Sequence, residues 1–250
     1  MRKLSAIGIG AGDPEQLTVE AVRALNGLDV VFVVDKGKEV AELAALREEI
    51  CRRYVEGEFR TVFIPDPKRD RAAAAYSEAV EAWRQARADA WGAAIAAELG
   101  EGERGAFLVW GDPALYDSTL AVLERIAAAG DPALEYDSIP GISSVQSLAA
   151  RHRISLTRVA ASMLVTTGRR LAAEGLPEDA DVVVMLDAGL AFKGFVDQDL
   201  DIYWGAYLGT ADEILVAGPL AEVAEEVETV RAEARERKGW IMDTYLLRRR

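Results

Sequence analysis

Three short loops in this sequence carry residue types that suit the binding of a small ligand. They read Gly12-Asp13-Pro14, Gly111-Asp112-Pro113 and Pro140-Gly141-Ile142-Ser143-Ser144. Glycine lets a ligand approach the backbone closely, and serine hydroxyls both donate and accept hydrogen bonds. The carboxylates suit a cationic or hydroxyl-rich ligand better than a phosphate group. We therefore expect a binding site where the fold brings these loops together.

The strands of the first half would bring the loops to one place. Strand-like apolar runs cover residues 4–10, 30–34, 59–64, 105–110 and 133–138, and helical patterns cover 19–26, 38–54, 69–99, 117–129 and 144–151. This alternation predicts a parallel sheet with helices on its faces. Ligands of open α/β sheets bind at the carboxyl ends of the strands, and the three loops follow such ends.

The second half predicts a different sheet. Its strands fall at 159–166, 181–187, 201–208, 213–217 and 239–247, and the helices between them are shorter and fewer. That pattern indicates a mixed sheet in a second domain. The predicted fold class is α/β with two domains, residues 1–153 with a mostly parallel sheet and residues 159–250 with a mixed one.

Composition narrows the classes of partner. The chain has 250 residues, enough for two domains with separate cores, and its 42 acidic and 29 basic side chains give a net charge of -13. Such an acidic chain is a poor partner for nucleic acid or an anionic membrane, so neither is expected. No apolar run is long enough to span a membrane, and the N-terminus turns to glycine and acid too early for a signal peptide. We expect a cytoplasmic protein.

Cysteine and histidine are too scarce for several kinds of catalysis. The lone Cys51 lies in a helical pattern and cannot form an internal disulfide, and the lone His152 leaves too few ligands for a zinc site. No metal is therefore predicted. A Ser-His-Asp triad would have to use His152, which is a weak basis for one. An enzyme of this composition would act by positioning a reactive cofactor.

The first loop also permits a dinucleotide site. The glycines of GIGAGDP fall at positions 8, 10 and 12, with Asp13 where a third glycine belongs in the usual spacing. A pyrophosphate would face the Asp13 carboxylate, and Pro14 removes one amide that would bind it. Asp35, at the end of the second strand, does resemble the acid that holds a cofactor ribose. A nucleotide-dependent oxidoreductase stays as an alternative that the glycine spacing disfavours.

The order of motifs resembles that of the tetrapyrrole (corrin and precorrin) methyltransferases, a family that uses S-adenosylmethionine. The matching signals are an N-terminal GxGxGDP, a central GDP followed by Tyr116, PGISS at a helix start, VTTG at 165–168, a strand ending at Met185, Leu208-Gly209-Thr210 and Ala217-Gly218-Pro219. The resemblance covers nearly the whole chain. It implies two α/β domains with the ligand cleft between them, a homodimer, and S-adenosylhomocysteine as a product.

The resemblance also implies which residues contact the methyl donor. The matching positions are Pro14, Trp110, Gly111, Asp112, Leu115, Ser143, Ser144, Met185 and Gly209. The family more often has glycine at the positions of Trp110 and Leu186, and this chain departs from the pattern there. A place in the core of a strand is an equal alternative for Met185, and capping of the following helix is the alternative for Asp112.

Within the family, this chain is most similar to the enzyme that methylates precorrin-5 at C1 and releases acetate, giving precorrin-6A. The features that it shares with that enzyme are the WGDP spelling, the DKG after the second strand and the long 69–99 helix. Its substrate, a polycarboxylate tetrapyrrole, needs local positive charge, for which the candidates are Lys36, Lys38, Arg169 and Arg170. Loss of the acetyl group needs a base, either Asp13 or Asp35. Methylation at another precorrin carbon and a binding module without activity stay as alternatives.

Overall fold

The computed structural model describes residues 1–35, 41–67 and 76–250. The ten strands that the sequence predicts are all present in these ranges, with ends shifted by a few residues. The predicted helices at 38–54 and 69–99 also form, and their first predicted residues lie outside the described ranges. Within the described ranges, no helix is both long enough and apolar enough to cross a membrane.

By its internal contacts the chain divides into two units. The first comprises residues 1–10 and 14–142, and the second comprises residues 11–13 and 143–250. Each unit has its own sheet and its own hydrophobic core. The change of unit at 142–143 comes earlier along the chain than the predicted boundary, because the helix that follows it packs on strands of the second sheet.

The first unit contains a five-stranded parallel sheet. Its strands are β1 (Arg2–Gly8), β2 (Val30–Asp35), β3 (Arg60–Pro65), β4 (Arg104–Val109) and β5 (Leu134–Ile139). They lie in the order β3-β2-β4-β1-β5, and all neighbouring pairs are parallel. The helices are α1 (Val19–Leu25), α2 (Ala41–Tyr54), α3 (Tyr76–Glu98) and α4 (Thr119–Ala129). The predicted parallel sheet is confirmed.

Helices cover both faces of this sheet. The steps from β1 to β2 and β3 run in one direction across the sheet, and the steps from β3 to β4 and β5 run in the other. Because such crossovers are right-handed, α1 and α2 lie on one face, and α3 and α4 lie on the other. Each face of this sheet has its own apolar cluster. Cys51 of α2 is part of the cluster on the face of α1 and α2, where burial raises the pKa of its thiol to about 11. Trp91 of α3 stacks on Phe107 in the cluster on the opposite face, with ring centroids 4.3 Å apart.

The second unit contains a five-stranded mixed sheet. Its strands are β6 (Ser162–Thr167), β7 (Ala180–Met185), β8 (Leu200–Ala206), β9 (Ile214–Pro219) and β10 (Asp243–Arg249). They lie in the order β6-β7-β10-β8-β9, with β6 and β7 parallel and the other pairs antiparallel. The helices are α5 (Ser144–His152), α6 (Gly168–Glu174) and α7 (Leu220–Lys238). The predicted mixed sheet is confirmed.

The prediction that the helices of the second half are shorter is wrong for helix α7, which runs for 19 residues. Its sequence is rich in alanine, glutamate and arginine, which are strong helix formers. Its buried apolar side chains are Leu220, Val227 and Ala234, seven residues apart. Val223 and Val230 lie between them and pack, partly buried, against the same core, so the apolar residues follow the three- and four-residue spacing of a packed helix.

A buried carboxylate fastens the start of the second sheet. Asp181 is 0% exposed and forms ion pairs at 2.8 Å with both Arg158 and Arg248. Arg248 also donates a hydrogen bond to the backbone oxygen of Ser155 at 2.8 Å. The segment that precedes β6 is therefore held to β7 and β10 by one carboxylate and two guanidinium groups.

We predict that Asp181→Asn lowers the free energy of unfolding by about 2–3 kcal/mol, because it removes the shared charge from two arginines of which Arg248 is largely buried. Urea unfolding measures the change. The control is Asp199→Asn, which breaks an exposed ion pair with Arg250 and should cost less than about 0.5 kcal/mol. Equal effects of the two substitutions would contradict the assignment.

Candidate functional site

In the first unit, three neighbouring strands end at a glycine or two residues before one, and the backbones of these glycines are in contact. β1 lies between β4 and β5, so Gly8 meets the loops that contain Gly111 and Gly141. A Cβ added to Gly8 would lie 2.5 Å from the Gly141 nitrogen and 2.8 Å from the Gly111 oxygen, and a Cβ on Gly141 would overlap that oxygen. Gly10 and Gly111 exchange backbone hydrogen bonds of 2.8 and 3.4 Å. No side chain fits between these loops.

Asp112 ties the loop after β4 to the loop after β5. Its Oδ2 accepts a hydrogen bond from the backbone N–H of Gly141 at 2.9 Å, and its Oδ1 accepts one from Ala114 at 2.8 Å. Helix α4 begins at Thr119, so the alternative that Asp112 caps it is wrong. The carboxylate orders the edge of the sheet at which the donor was predicted to bind.

Three more predicted donor positions lie in the first unit. Pro14 begins a short 3-10 turn that ends at Gln16. The N–H of Leu115 donates a hydrogen bond to the backbone oxygen of Asp112 at 3.1 Å. Trp110 is half-buried, and its buried indole nitrogen makes no hydrogen bond with the described part of the chain.

In the second unit, residues 11–13 pack against the loop that follows β8. A Cβ added to Gly12 would lie 2.5 Å from the backbone oxygen of Leu208. Gly209 has a φ of +79°, and its Cβ would lie 2.8 Å from the nitrogen of Asp13. The loops of the first GDP motif and of the Leu208-Gly209-Thr210 motif therefore lie so close together that neither Gly12 nor Gly209 can be replaced by a residue with a side chain without moving the other loop.

Glu213 and Arg151 hold the loop that contains Gly209 in place beside residues 11–13. Glu213 accepts a hydrogen bond from the N–H of Gly209 at 2.7 Å and another from Arg151 at 2.9 Å. Arg151 in turn lies 3.9 Å from the carboxylate of Asp13. Asp13, one of the two candidate bases, is therefore held within an ion-pair network of the second unit.

Two serines open helix α5, as the PGISS motif predicts. Ser143 is the N-cap residue, and its hydroxyl accepts a hydrogen bond from the N–H of Val145 at 3.2 Å. Gln146 completes a capping box with it. The hydroxyl of Ser144 lies 3.2 Å from that of Thr244 in β10. Ser143 has a capping role besides any contact with a ligand.

Strand β7 ends at Met185, and a buried carboxylate follows two residues later. Met185 is half-buried. Asp187 accepts hydrogen bonds from the backbone of Gly189 at 3.0 Å, from that of Ala191 at 2.7 Å and from the Tyr245 hydroxyl at 2.7 Å. Burial, with the Asp187 charge beside it, raises the pKa of the Tyr245 phenol, so the hydroxyl stays protonated and donates.

Sequence reasoning missed Asp187 and its partner Tyr245. The glycine of the VTTG motif is a sequence signal for this acid, because Asp187 packs where a side chain of Gly168 would lie. A Cβ on Gly168 would overlap the Asp187 carboxylate, and its distance to the Cβ of Asp187 would be 2.6 Å. The motif glycine therefore marks a side chain that packs on the first turn of α6.

The predicted basic residues differ in their surroundings. Arg169 and Arg170 are exposed in the first turn of α6, and Arg170 is paired with Glu174 at 2.9 Å. Lys36 and Lys38 lie outside the described residues. Sequence reasoning missed Arg47 of α2, whose Nε donates a hydrogen bond to the backbone oxygen of Leu108 at 3.0 Å and whose pKa is lowered by burial.

The two candidate bases lie in different units. Asp35 is exposed at the carboxyl end of β2 in the first unit, and Asp13 belongs to the second. Within the described residues, no group of three or more His, Cys, Asp or Glu side chains is arranged to hold a metal ion. The prediction that the chemistry needs no metal stays a prediction.

Comparison with known proteins identifies the family. Residues 3–224 match the model of the tetrapyrrole (corrin/porphyrin) methylases. The chain belongs to this family. It is 49% identical over 251 aligned residues to precorrin-6A synthase (deacetylating) of Sinorhizobium sp, covering 100% of this chain and 96% of that one. The resemblance inferred from the motifs is confirmed.

Solved structures give the same family. A cobalamin synthesis related protein of Corynebacterium diphtheriae is 35% identical with a TM-score of 0.83, covering 99% of this chain and 98% of that one. Uroporphyrin-III C-methyl transferase of Thermus thermophilus, solved with S-adenosylhomocysteine, shares the fold with a TM-score of 0.59 at 18% identity, covering 98% and 96% of the two chains. The two-sheet α/β architecture is thus that of a tetrapyrrole methylase.

We predict that Gly141→Ala lowers the free energy of unfolding by about 1–3 kcal/mol, because the added methyl group forces the backbones of two loops apart. Thermal or urea unfolding measures the loss. Gly57→Ala is the matched control, because a Cβ there meets no atom within 4 Å, and it should leave stability unchanged or raise it. A stable Gly141→Ala variant would show that the loops can separate freely.

Proposed function

We propose that this protein is an S-adenosylmethionine-dependent C-methyltransferase of cobalamin biosynthesis, which methylates precorrin-5 at C1 and releases the acetyl group as acetate to give precorrin-6A. The observation that carries the proposal is the 49% identity, across the whole chain, with a relative named precorrin-6A synthase (deacetylating). The similarity in sequence and fold to a cobalamin synthesis related protein supports it.

The glycine contacts fit a donor that must lie against backbone. Gly111 in the first unit has a φ of +71°, and Gly209 in the second has a φ of +79° and no room for a Cβ beside the nitrogen of Asp13. The proposed donor contacts are those assigned from the motifs, Pro14, Trp110, Gly111, Asp112, Leu115, Ser143, Ser144, Met185 and Gly209. Each carboxylate oxygen of Asp112 accepts one backbone hydrogen bond, which leaves lone pairs for a hydroxyl or an amine of the donor. The cleft that the family resemblance predicts stays a prediction.

Methyl transfer needs alignment of the methyl group with the acceptor carbon more than it needs reactive side chains. Bound S-adenosylmethionine supplies a methyl group on a sulfonium, which is already activated for displacement by carbon. The side chains and backbone have to orient the two reactants and exclude water, and such positioning can lower the barrier by up to ~7–11 kcal/mol. The scarcity of cysteine and histidine in this chain is consistent with that mode of catalysis.

Release of acetate needs a second kind of assistance. A water or hydroxide must attack the acetyl carbonyl while a nearby base takes its proton. The bond between the acetyl carbon and the macrocycle then breaks, so that the acetyl group leaves as acetate and the methylated macrocycle keeps the electron pair. Asp13 and Asp35 are the proposed candidates, the first within reach of Arg151 and the second exposed at a strand end. Acetate release measured in Asp13→Asn and Asp35→Asn variants distinguishes them.

The acceptor carries many carboxylates, and Lys36, Lys38, Arg169 and Arg170 are proposed to bind them. We predict that Arg169→Ala raises the KM for precorrin-5 roughly tenfold, the loss expected for one charge-assisted hydrogen bond. Arg170→Ala should raise it less, because Glu174 already neutralises part of that charge.

Two measurements control this comparison. The Kd for S-adenosylhomocysteine should stay unchanged in both variants, since neither arginine is assigned to the donor. Arg52→Ala, which removes an exposed arginine paired with Glu49 on α2, should leave the KM unchanged. Equal KM values for the wild type and Arg169→Ala would exclude Arg169 from the acceptor site.

The function is tested first by calorimetric titration with S-adenosylhomocysteine, and with NADH in parallel. We expect binding of S-adenosylhomocysteine and none of NADH, followed by conversion of precorrin-5 with one acetate and one S-adenosylhomocysteine formed per turnover. Binding of NADH alone would favour the oxidoreductase alternative. Methylated product without acetate would favour methylation at another carbon, and donor binding without turnover of any precorrin would favour a binding module.

The remaining predictions concern the state of the protein in the cell. A homodimer and a cytoplasmic location follow from the family resemblance and the composition, and neither nucleic acid nor membrane is a proposed partner. Sedimentation of the purified protein tests the dimer.

A further inference from the structure

Arg87 is a buried cation in the middle of α3, a helix that carries no residue assigned to the candidate site. Its side chain is 4% exposed. Trp83 and Trp91 lie one helical turn before and after it, and their ring centroids are 4.8 and 4.9 Å from its guanidinium carbon. An aromatic ring attracts a guanidinium charge, so two rings hold this one in a fixed orientation. The helix therefore presents Arg87 as an ordered group with N–H donors for other segments.

Arg87 connects two segments that leave the sheet on either side of β2. Its Nε lies 2.8 Å from Oδ1 of Asp66, the residue that directly follows β3. This contact is an ion pair and not a hydrogen bond, because the two atoms are poorly aligned. Its Nη1 donates a hydrogen bond of 2.6 Å to the hydroxyl of Ser118, the last residue of the loop that follows β4. β2 lies between β3 and β4 in the sheet, so one guanidinium bridges the two segments.

The hydroxyl of Ser118 is used for this bridge and not for its usual local role. Ser118 is the N-cap residue of α4, where a serine commonly accepts a hydrogen bond from the first turn of the helix. The described first turn of α4 makes no such bond to Ser118. The N–H of Thr119 instead donates to the carboxylate of Asp117 at 2.6 Å. The contact with Arg87 is therefore not a consequence of helix capping, and it fixes the end of the loop to α3.

Both ends of the bridge carry residues of the proposed site. The backbone N–H of Asp66 donates a hydrogen bond to the backbone oxygen of Asp35, a candidate base, at 3.1 Å. The loop that ends at Ser118 contains the second GDP motif, whose Asp112 accepts a hydrogen bond from the backbone N–H of Gly141. Asp112 thus fixes the start of the loop, and the bridge fixes its end. Three of the proposed donor contacts lie in this loop: Gly111, Asp112 and Leu115.

We propose that Arg87 is a positioning residue, which holds the loop of residues 111–118 in its donor-binding conformation through the hydrogen bond to Ser118. The proposal rests on the proposed function, which assigns donor contacts to this loop. Because Arg87 is buried, it acts through Ser118 and does not itself contact a reactant. The same guanidinium holds the loop to the segment that is bonded to Asp35, so the donor contacts and this candidate base keep one arrangement within the first unit.

Two variants remove the hydrogen bond from opposite sides. Arg87→Lys keeps a positive charge for Asp66, but one ammonium cannot also reach Ser118 as the forked guanidinium does. Ser118→Ala removes the acceptor. In each variant we expect the Kd for S-adenosylhomocysteine to rise about tenfold, the change that follows if the loop keeps its binding conformation about a tenth of the time. Because both substitutions break the same bond, the double variant should bind no more weakly than either single one.

Arg125→Lys is the matched control. Arg125 of α4 pairs with Glu81 of α3 at 2.7 Å, so it joins the same two helices at a contact outside the loop. This variant should keep the wild-type Kd for S-adenosylhomocysteine, and weaker binding would assign the effect to helix packing in general and overturn the proposal. Calorimetry measures binding, and thermal unfolding shows that each variant is folded at the temperature of the titration.

A purely structural contact would lower the unfolding midpoint and leave the Kd of the folded protein unchanged. Wild-type affinity in Ser118→Ala would therefore overturn the proposal, and this variant decides alone if Arg87→Lys does not fold. Additive losses in the double variant would also overturn it, because the two side chains would then act separately. If the wild type itself fails to bind S-adenosylhomocysteine, the proposed function fails, and the role of Arg87 fails with it.

Discussion

Backbone packed directly against backbone is the constraint on which the first unit depends. Three adjacent parallel strands end together, and their loops approach so closely that a single methyl group on Gly8 or Gly141 would collide with the peptide of Gly111. The Asp112 carboxylate then closes the arrangement by accepting hydrogen bonds from two of the loops' N–H groups. A side chain at Gly8 or Gly141 would force these loops apart, so glycine at these positions keeps the edge of the sheet closely packed.

The second unit uses the same constraint with other partners. Gly12 and Gly209 fit against each other's loops, although they are far apart in sequence, and Gly168 fits under the carboxylate of Asp187. The glycines of these motifs therefore contact residues that are distant in sequence, and a substitution on one side of a contact requires a change on the other side. Several weak motifs in a fixed order identify the family because a random sequence would have to form all of these contacts together.

Local patterns predicted the strands, the two kinds of sheet and the capped start of α5, because apolar periodicity and capping residues act within a few positions. The length of helix α7 was not predicted, although its core-packed apolar residues follow helical spacing. Asp187 was missed as well. An aspartate after a strand is typical of an exposed turn, and its burial is decided by Tyr245, which comes 58 residues later. Arg169 and Arg170 were predicted as candidate substrate contacts from their residue type, but the ion pair of Arg170 with Glu174 was not predicted.

Ion pairing decides which positive charges an acidic chain can offer to a polycarboxylate. Several arginines are committed to internal carboxylates, Arg87 to Asp66, Arg231 to Asp243, and Arg248 to Asp181. Such buried pairs hold the fold, and removing either charge to bind a ligand would leave the other uncompensated. Arg169 is placed differently. It is exposed in the first turn of a helix, where the helix dipole disfavours a cation. An acceptor carboxylate beside Arg169 would offset that unfavourable placement. The same carboxylate beside Arg248 would have to displace Asp181, which is why exposed Arg169 and Arg170 of α6 are proposed as substrate contacts and Arg248 is not.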